Sequence, residues 1–232
     1  ETFRTALADS TAVVHLASVI DITQSLVAPR ENIDRNVDML LSLLEEIRKG
    51  GKKQLVIFTS TDRLYGRTTK RVVTETETPF PLEPYTAAKI MCETLLTTYQ
   101  SLYGIPYIVL RMDSVYGPRQ PRTMFISDII QKMITEGTVL VGNLAAKKNF
   151  VYVGDVVDAL VAALDAPERM HNTAYNIGGP LVSMEDIAHI VQRLIETRLT
   201  KSITIRSSEA LKRPSNIEVR PFRLSTAKAR RC

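Results

Sequence analysis

The sequence predicts an α/β protein built on a parallel sheet that helices cover on both faces. Three short apolar runs read as buried strands, and each precedes a segment with helical periodicity. The strands are almost continuously apolar, which is typical of parallel strands buried on both faces. Alternation of such strands with helices over 232 residues therefore favours this fold class.

Each predicted element depends on a local signal. In chain order, strands are predicted at 12–17, 54–59 and 107–111, with short ones near Phe150 and Tyr175. Helices are predicted at 32–49, 85–103, 124–136, 155–165 and 184–198. The first helix carries an apolar stripe that ends at Gly50-Gly51, and Gly104 follows the second. Three prolines between 79 and 84 make the segment before the second helix a loop.

Composition excludes several classes of protein. Two cysteines and three histidines argue against a disulfide framework or a zinc site, so we expect no bound metal. No apolar run is long enough to cross a membrane, and the first ten residues lack signal-peptide features. The net charge of +5 is concentrated after Arg198, but no nucleic-acid motif accompanies it. We therefore expect a cytoplasmic protein without a membrane or nucleic-acid partner.

Tyr85 and Lys89 form a candidate catalytic pair. They stand four residues apart at the start of a predicted helix, so a phenol and an ammonium can enter one pocket. A close cation would lower the pKa of Tyr85 and let it accept a proton. Thr61, after the second strand, would supply another hydroxyl to the same substrate oxygen. Alone, the pair is a weak signal, and a surface tyrosine beside a solvated lysine is the simpler interpretation.

Six motifs in a fixed order give the pair a context. They are Val13-Val14-His15-Leu16-Ala17-Ser18, Phe58-Thr59-Ser60-Thr61-Asp62-Arg63-Leu64-Tyr65-Gly66, Pro84-Tyr85-Thr86-Ala87-Ala88-Lys89, Leu110-Arg111-x-x-Ser114-Val115-Tyr116-Gly117-Pro118-Arg119, Asn149-Phe150-Val151-Tyr152-Val153-x-Asp155-Val156 and Tyr175-Asn176-Ile177-Gly178-Gly179. This series resembles the extended short-chain dehydrogenase/reductases, in particular the NAD-dependent nucleotide-sugar epimerase/dehydratase family. The resemblance extends from about residue 8 to residue 230.

The resemblance implies a Rossmann-like doubly wound parallel sheet with a small C-terminal substrate-binding lobe. We expect residues 1–113 to form part of the NAD-binding domain, and 114–232 to form mainly the lobe, with 149–173 returning to the core. The implied cofactor is NAD, the partner a nucleotide-diphosphate sugar, and the complete protein a homodimer. The ten glycines form no Gly-x-Gly-x-x-Gly loop, so we expect an internal fragment whose first strands and NAD-binding loop lie upstream.

The family also implies roles for individual residues. Tyr85 would be the acid/base, Lys89 would hold the nicotinamide ribose, and Thr61 would match the catalytic Ser/Thr. The expected NAD-binding residues are Leu16, Ala17, Ser18, Asn36, Thr59, Ser60, Tyr85 and Lys89. The expected substrate-binding residues are Ser114, Lys148 and Arg213. Ser114 and Lys148 depart from the family's asparagine and arginine, which leaves the identity of the substrate open.

Asp62 bears on the type of reaction. Sugar 4,6-dehydratases of the family carry Asp-Glu after the catalytic Ser/Thr, whereas this chain carries Asp62-Arg63. Asp62 would then protonate a departing hydroxyl, but Arg63 cannot replace the glutamate as a base. An ordinary strand-end cap, or an ion pair with Arg63, explains Asp62 equally well. Two other functions stay open: an oxidoreductase of a non-sugar alcohol, and a non-catalytic binding or scaffold protein.

Overall fold

The computed structural model describes residues 2–208, 211 and 219–231. The helices are α1 (Thr2–Ala8), α2 (Ile22–Val27), α3 (Pro29–Gly50), α4 (Pro84–Tyr103), α5 (Phe125–Glu136), α6 (Val153–Leu164) and α7 (Met184–Leu199). The strands are β1 (Ala12–His15), β2 (Leu55–Thr61), β3 (Val72–Val73), β4 (Tyr107–Met112), β5 (Ser114–Tyr116), β6 (Thr138–Val141), β7 (Lys147–Tyr152), β8 (Thr173–Ile177), β9 (Leu181–Ser183), β10 (Thr204–Ser207) and β11 (Arg223–Leu224). Short 3₁₀ helices cover Asp62–Tyr65, Glu168–Met170 and Ala229–Arg231.

The main sheet has the strand order β1-β2-β4-β8, and all its pairings are parallel. Alternate side chains of β2 enter two different cores. Val56 and Phe58 pack with α3 and α4, whereas Leu55 and Ile57 pack on the opposite face with α6. Burial on both faces explains why the strand sequence is continuously apolar, and the predicted α/β fold class is confirmed.

Two long helices frame the site. Pro29 begins α3 and Pro84 begins α4, at positions where a helix needs no N–H donor. Both helices end at a glycine in the left-handed conformation, Gly51 with φ 72° and Gly104 with φ 67°. The proline and the glycine set the two ends of α4, and Tyr85 therefore lies on its first turn.

A smaller lobe follows the main sheet. It contains the sheet β5-β7-β9, the pair β10-β6, and helices α5 and α7. The return of 149–173 to the core stays a prediction, and this range has contacts on both sides, since α6 packs against the main sheet. Most of β7 belongs to the lobe sheet because Phe150 packs into the lobe core, and β8 extends the main sheet to Ile177. The division at residues 113 and 114 stays a prediction.

Within the described residues, no helix combines the length and the apolar character needed to cross a membrane.

Candidate active site

The carboxyl ends of four parallel strands meet at one edge of the main sheet. Residues 16–18 follow β1, Asp62 follows β2, Asp113 follows β4, and 178–179 follow β8. Open α/β sheets bind ligands at this edge. The edge therefore collects most of the residues that the sequence predicted for a site.

The structure brings Tyr85 and Lys89 together on the first turns of α4. Both side chains are buried, and the Lys89 ammonium lies 5.9 Å from the centre of the Tyr85 ring. Lys89 Nζ donates a 2.9 Å hydrogen bond to the carbonyl oxygen of Thr59 and lies 4.6 Å from the centre of the Phe58 ring. The end of β2 therefore holds the ammonium in place beneath the phenol.

Burial shifts the pKa of both groups. It lowers the pKa of Lys89 to about 8, because a buried ammonium loses its hydration. It also raises the pKa of Tyr85, and the negative charge of Asp62 raises it further. The pKa of Tyr85 is therefore raised and not lowered as expected, because burial outweighs the positive charge of Arg63.

Asn36 fixes the loop after β1. Its Oδ1 accepts hydrogen bonds from the Ser18 hydroxyl at 2.8 Å and from the Val19 N–H at 3.0 Å. The Ser18 hydroxyl also favours the ionised form of the Tyr85 phenol and so lowers its pKa, although burial has the larger, opposite effect. Asn36 therefore orients a hydroxyl that acts on Tyr85. Leu16 and Ala17 are exposed beside Ser18.

The three hydroxyl residues that end β2 differ in direction. Thr59 donates to the His15 carbonyl at 3.2 Å, and Thr61 accepts from the Arg63 N–H at 3.2 Å. Ser60 donates to Glu93 at 2.6 Å instead, on the other face of the strand. Thr61 is therefore the residue that caps the following 3₁₀ helix, which removes the cap interpretation of Asp62.

A buried polar network that the sequence analysis missed lies below the site. Arg111 forms an ion pair with Glu93 at 2.6 Å and donates to the Tyr65 hydroxyl at 3.0 Å. Tyr65 in turn donates to Asn176 at 2.7 Å. The network joins β4, α4 and β8 beneath the strand ends. Its signal was an arginine inside an apolar strand, with Glu93 one turn after Lys89.

Asp113 is a second acidic residue that the sequence analysis missed. Thr61 and Met112 are register partners on adjacent strands, so the next residues, Asp62 and Asp113, lie side by side. Burial raises the pKa of both carboxyls, and the charge of Asp62 further raises that of Asp113. The available signal was an acidic residue directly after a buried strand.

Cations lie close to Asp62. The positive charges of Arg63 and Lys148 both favour its ionised form. Arg63 donates to the buried carboxylate of Glu83 at 2.8 Å, so this carboxylate orients its guanidinium. Lys148 belongs to β7 in the small lobe, and its positive charge acts on Asp62, so the lobe contributes a positive charge to the site.

The remaining predicted residues have different outcomes. Ser114 begins β5 opposite Phe150 and is half-buried near the same edge. Arg213 lies outside the described residues. The described part of the chain contains no group of three His, Cys, Asp or Glu side chains arranged to hold a metal.

A parallel sheet with a buried tyrosine–lysine pair and hydroxyl side chains at its strand ends defines a site of the short-chain dehydrogenase/reductase class. Within that class, the chain belongs to the NAD dependent epimerase/dehydratase family, whose model matches residues 1–178. It is 33% identical over 195 residues to a putative UDP-glucose 4-epimerase of Methanocaldococcus jannaschii, covering 82% of this chain and 63% of the relative.

Two solved structures have similar folds. One is UDP-glucose 4-epimerase from Thermotoga maritima with UDP-glucose, with a TM-score of 0.86 and 28% identity, over 99% of this chain and 74% of that one. The other is UDP-glucuronic acid 4-epimerase from Bacillus cereus with UDP-glucuronic acid and NAD, with a TM-score of 0.83 and 28% identity, over 99% and 71%. The chain spans roughly three-fifths of the length of the curated relatives it matches.

Proposed function

We propose that the protein is an NAD-dependent enzyme that transiently oxidises a nucleotide-diphosphate sugar at C4, as an epimerase or a dehydratase. The observation that carries this proposal is the buried Tyr85–Lys89 pair at the carboxyl ends of β1 and β2. A buried phenol beside a fixed ammonium is suited to proton exchange with an alcohol. Similarity to two sugar-nucleotide epimerases supports the same activity.

The residues at the strand ends fit a dinucleotide. Lys89 is 3% exposed, and within the described residues its hydrogen bond to Thr59 uses one of three N–H donors. Two donors remain for ribose hydroxyls, and the exposed Leu16 and Ala17 offer a surface beside Ser18. Asn36 would hold that surface in place, whereas Thr59 and Ser60 would contact the dinucleotide mainly through their backbone atoms. When bound, NAD supplies the acceptor and donor of the hydride.

Tyr85 would take the proton of the C4 hydroxyl and later return it. Thr61 would donate a hydrogen bond to the same oxygen, because its 3.4 Å contact with Asp62 is long and leaves the hydroxyl proton available. Lys89 would hold the ribose and offset negative charge on the phenolate. Deep burial of the pair would exclude bulk water from the reacting oxygen.

The diphosphate would lie toward the small lobe. Lys148 is already near the strand ends and would meet a phosphate as a point charge, and Arg213 would add a second charge. Ser114 would contact the sugar from the beginning of β5. The exposed apolar side chains of α4, including Met91 and Leu102, fit burial in a homodimer.

The test is incubation of the intact protein, including any segments encoded around this chain, with UDP-glucose, UDP-glucuronic acid and dTDP-glucose in D₂O. Epimerisation would invert C4 without deuterium uptake, whereas elimination would give a 4-keto-6-deoxy sugar with deuterium at C5. Tyr85→Phe is the matched control. If only simple alcohols react, the protein is an ordinary oxidoreductase, and if nothing reacts or binds, a scaffold role replaces the proposal.

A further inference from the structure

Asp113 links the main sheet to the small lobe. It is the single residue between β4, which ends at Met112, and β5, which begins at Ser114. Its N–H donates a 3.0 Å hydrogen bond to the carbonyl oxygen of Ile177, the last residue of β8. Its carboxyl oxygen Oδ2 accepts a 3.2 Å hydrogen bond from the N–H of Gly179, in the connection from β8 to β9. Two connections from the main sheet to the lobe are therefore joined through one aspartate.

Two glycines allow the second of these connections to pass close to its neighbours. A Cβ atom on Gly178 would collide with the Asp113 carboxyl, and one on Gly179 would collide with the carbonyl oxygen of Phe150 in β7. The Phe150 N–H also donates a 3.3 Å hydrogen bond to the carbonyl oxygen of Pro180. The connection from β8 to β9 is thus held between the Asp113 carboxyl and a lobe strand.

Asn149 brings a third segment to the same place. Ser114 pairs with Phe150 in a parallel register, so the residues that precede them, Asp113 and Asn149, lie side by side. Asn149 is 4% exposed, and its Nδ2 donates a 2.9 Å hydrogen bond to the carbonyl oxygen of Phe222. Phe222 directly precedes β11, which pairs with β3. The contacts of Asp113 and Asn149 therefore form one joint between the main sheet and the lobe.

The residues next to this joint are those expected to bind the substrate. Ser114 follows Asp113 directly, and Lys148 precedes Asn149 directly. Tyr85, in contrast, lies on α4, which packs on the main sheet. A rotation of the lobe about the joint would move the substrate-binding residues relative to the tyrosine. A fixed joint avoids this motion and lowers the cost of ordering the site when a substrate binds.

We propose that Asp113 is a positioning residue that holds the small lobe at a fixed angle to the main sheet, with Asn149 as its partner. Ser114 and Lys148 then face the strand ends before the substrate binds. The use of this angle rests on the proposed function, in which the two residues contact a nucleotide-diphosphate sugar. For this role Asp113 needs an acceptor oxygen for the Gly179 N–H, but it does not need a charge.

The first test measures the angle in the intact protein without any ligand. Spin labels are attached through Ala162→Cys on α6 and Arg193→Cys on α7, both exposed positions, with Cys232→Ser as background. Double electron–electron resonance, with labelled protein diluted into unlabelled protein, should give one narrow distance distribution. Asp113→Ala should broaden this distribution. Asp113→Asn should keep it narrow, because the amide retains an oxygen for the same hydrogen bond.

The second test separates binding from catalysis. UDP, as a probe of the diphosphate site, should bind Asp113→Ala about tenfold more weakly if a tenth of the molecules keep the competent angle. The affinity for NAD should not change, because the residues that would hold it lie on the main-sheet side. KM for the sugar nucleotide should therefore rise by more than kcat falls. Asp113→Asn should bind UDP nearly as the wild type does, and the exposed Asp158→Ala on α6 is the matched control.

Gly178→Ala approaches the same contact from the other side and gives a result even if Asp113→Ala does not fold. It should displace the carboxyl and weaken UDP binding, but add nothing in an Asp113→Ala background, where the space is free. A broad distribution in the wild type, an unchanged one in Asp113→Ala, or an equal loss of UDP affinity in Asp113→Asn would overturn the proposal. If the wild type bound no UDP, the proposed function would fail, while the distance measurement would still decide the role of Asp113.

Discussion

The ammonium of Lys89 donates a 2.9 Å hydrogen bond to the carbonyl oxygen of Thr59, 30 positions earlier in the chain. Through this contact, the last residues of a central strand hold a charged group in a position that is otherwise apolar. The hydrogen bond fixes the distance between α4 and β2, and with it the distance between Tyr85 and the strand ends. The burial of Lys89 that sets the catalytic geometry therefore also places a charge in an apolar environment, which lowers the stability of the fold.

Tyr85→Phe should reduce turnover by roughly 10²–10⁴-fold, the range for loss of a positioned proton-transfer group. Binding of the sugar nucleotide should persist, because the phenylalanine ring retains the shape of the side chain. Steady-state kinetics and calorimetric titration on the intact protein measure the two quantities. Turnover equal to that of the wild type would remove Tyr85 from the mechanism.

Lys89→Met should stabilise the fold while abolishing activity. The lowered pKa of Lys89, about 8 against an ordinary 10.5, corresponds to a penalty of about 3 kcal/mol for the buried charge. Methionine has a similar length without that charge, so the free energy of unfolding should rise by about 1–3 kcal/mol. Urea denaturation at neutral pH measures the change.

The same residue predicts a pH dependence of stability. Between pH 8 and 10.5 the unfolded chain keeps the Lys89 proton while the folded chain releases it, so this group makes stability increase with pH. The wild-type free energy of unfolding, relative to that of Lys89→Met, should therefore rise across this window. A constant difference between the two proteins would show that Lys89 is solvated in the folded state.

Arg111→Met should destabilise the protein by about 3–5 kcal/mol, because the largely buried Glu93 carboxylate would lose its positive partner and keep only the Ser60 hydroxyl. The matched control is Arg30→Met, which breaks the exposed ion pair with Asp34 and should change stability by less than about 0.5 kcal/mol. Denaturation midpoints at constant m-value measure both variants. If Arg111→Met changed stability as little as Arg30→Met does, the network below the site would contribute no net stability.

Ser18→Ala should move the acid limb of the pH–rate profile to higher pH. The Ser18 hydroxyl lowers the pKa of Tyr85, so its removal leaves the phenol harder to ionise. Asn36→Ala should act in the same direction, because it releases the Ser18 hydroxyl from its 2.8 Å contact. Profiles of kcat/KM against pH for the two variants check this, and unshifted limbs would contradict it.

Local signals allowed most of the fold to be predicted. The helix predicted at 85–103 is observed as Pro84–Tyr103, because a proline and a glycine mark its two ends. Side-chain partners at the strand ends were harder. Alternation along β2 predicts that Ser60 points away from Thr59 and Thr61, but nothing local indicates that it meets Glu93. That partner lies on a helix 33 positions later in the chain.

The candidate site was predicted where its residues lie on one element or in one motif, as with Tyr85 and Lys89. It was missed where two strands must first be aligned. Asp62 and Asp113 are neighbours only because β2 and β4 pair in a particular register. Tyr65 and Asn176 likewise meet across 111 positions. Such contacts have no local sequence signal.

The close approach of Gly178 to Asp113 has an evolutionary consequence. A side chain at position 178 would collide with the carboxyl, so neither position can change freely while the other is kept. Lineages that retained the aspartate should have retained the glycine, whereas a smaller residue at 113 would release position 178 to vary. Covariation of these two positions would then distinguish members that kept the acid from those that lost it.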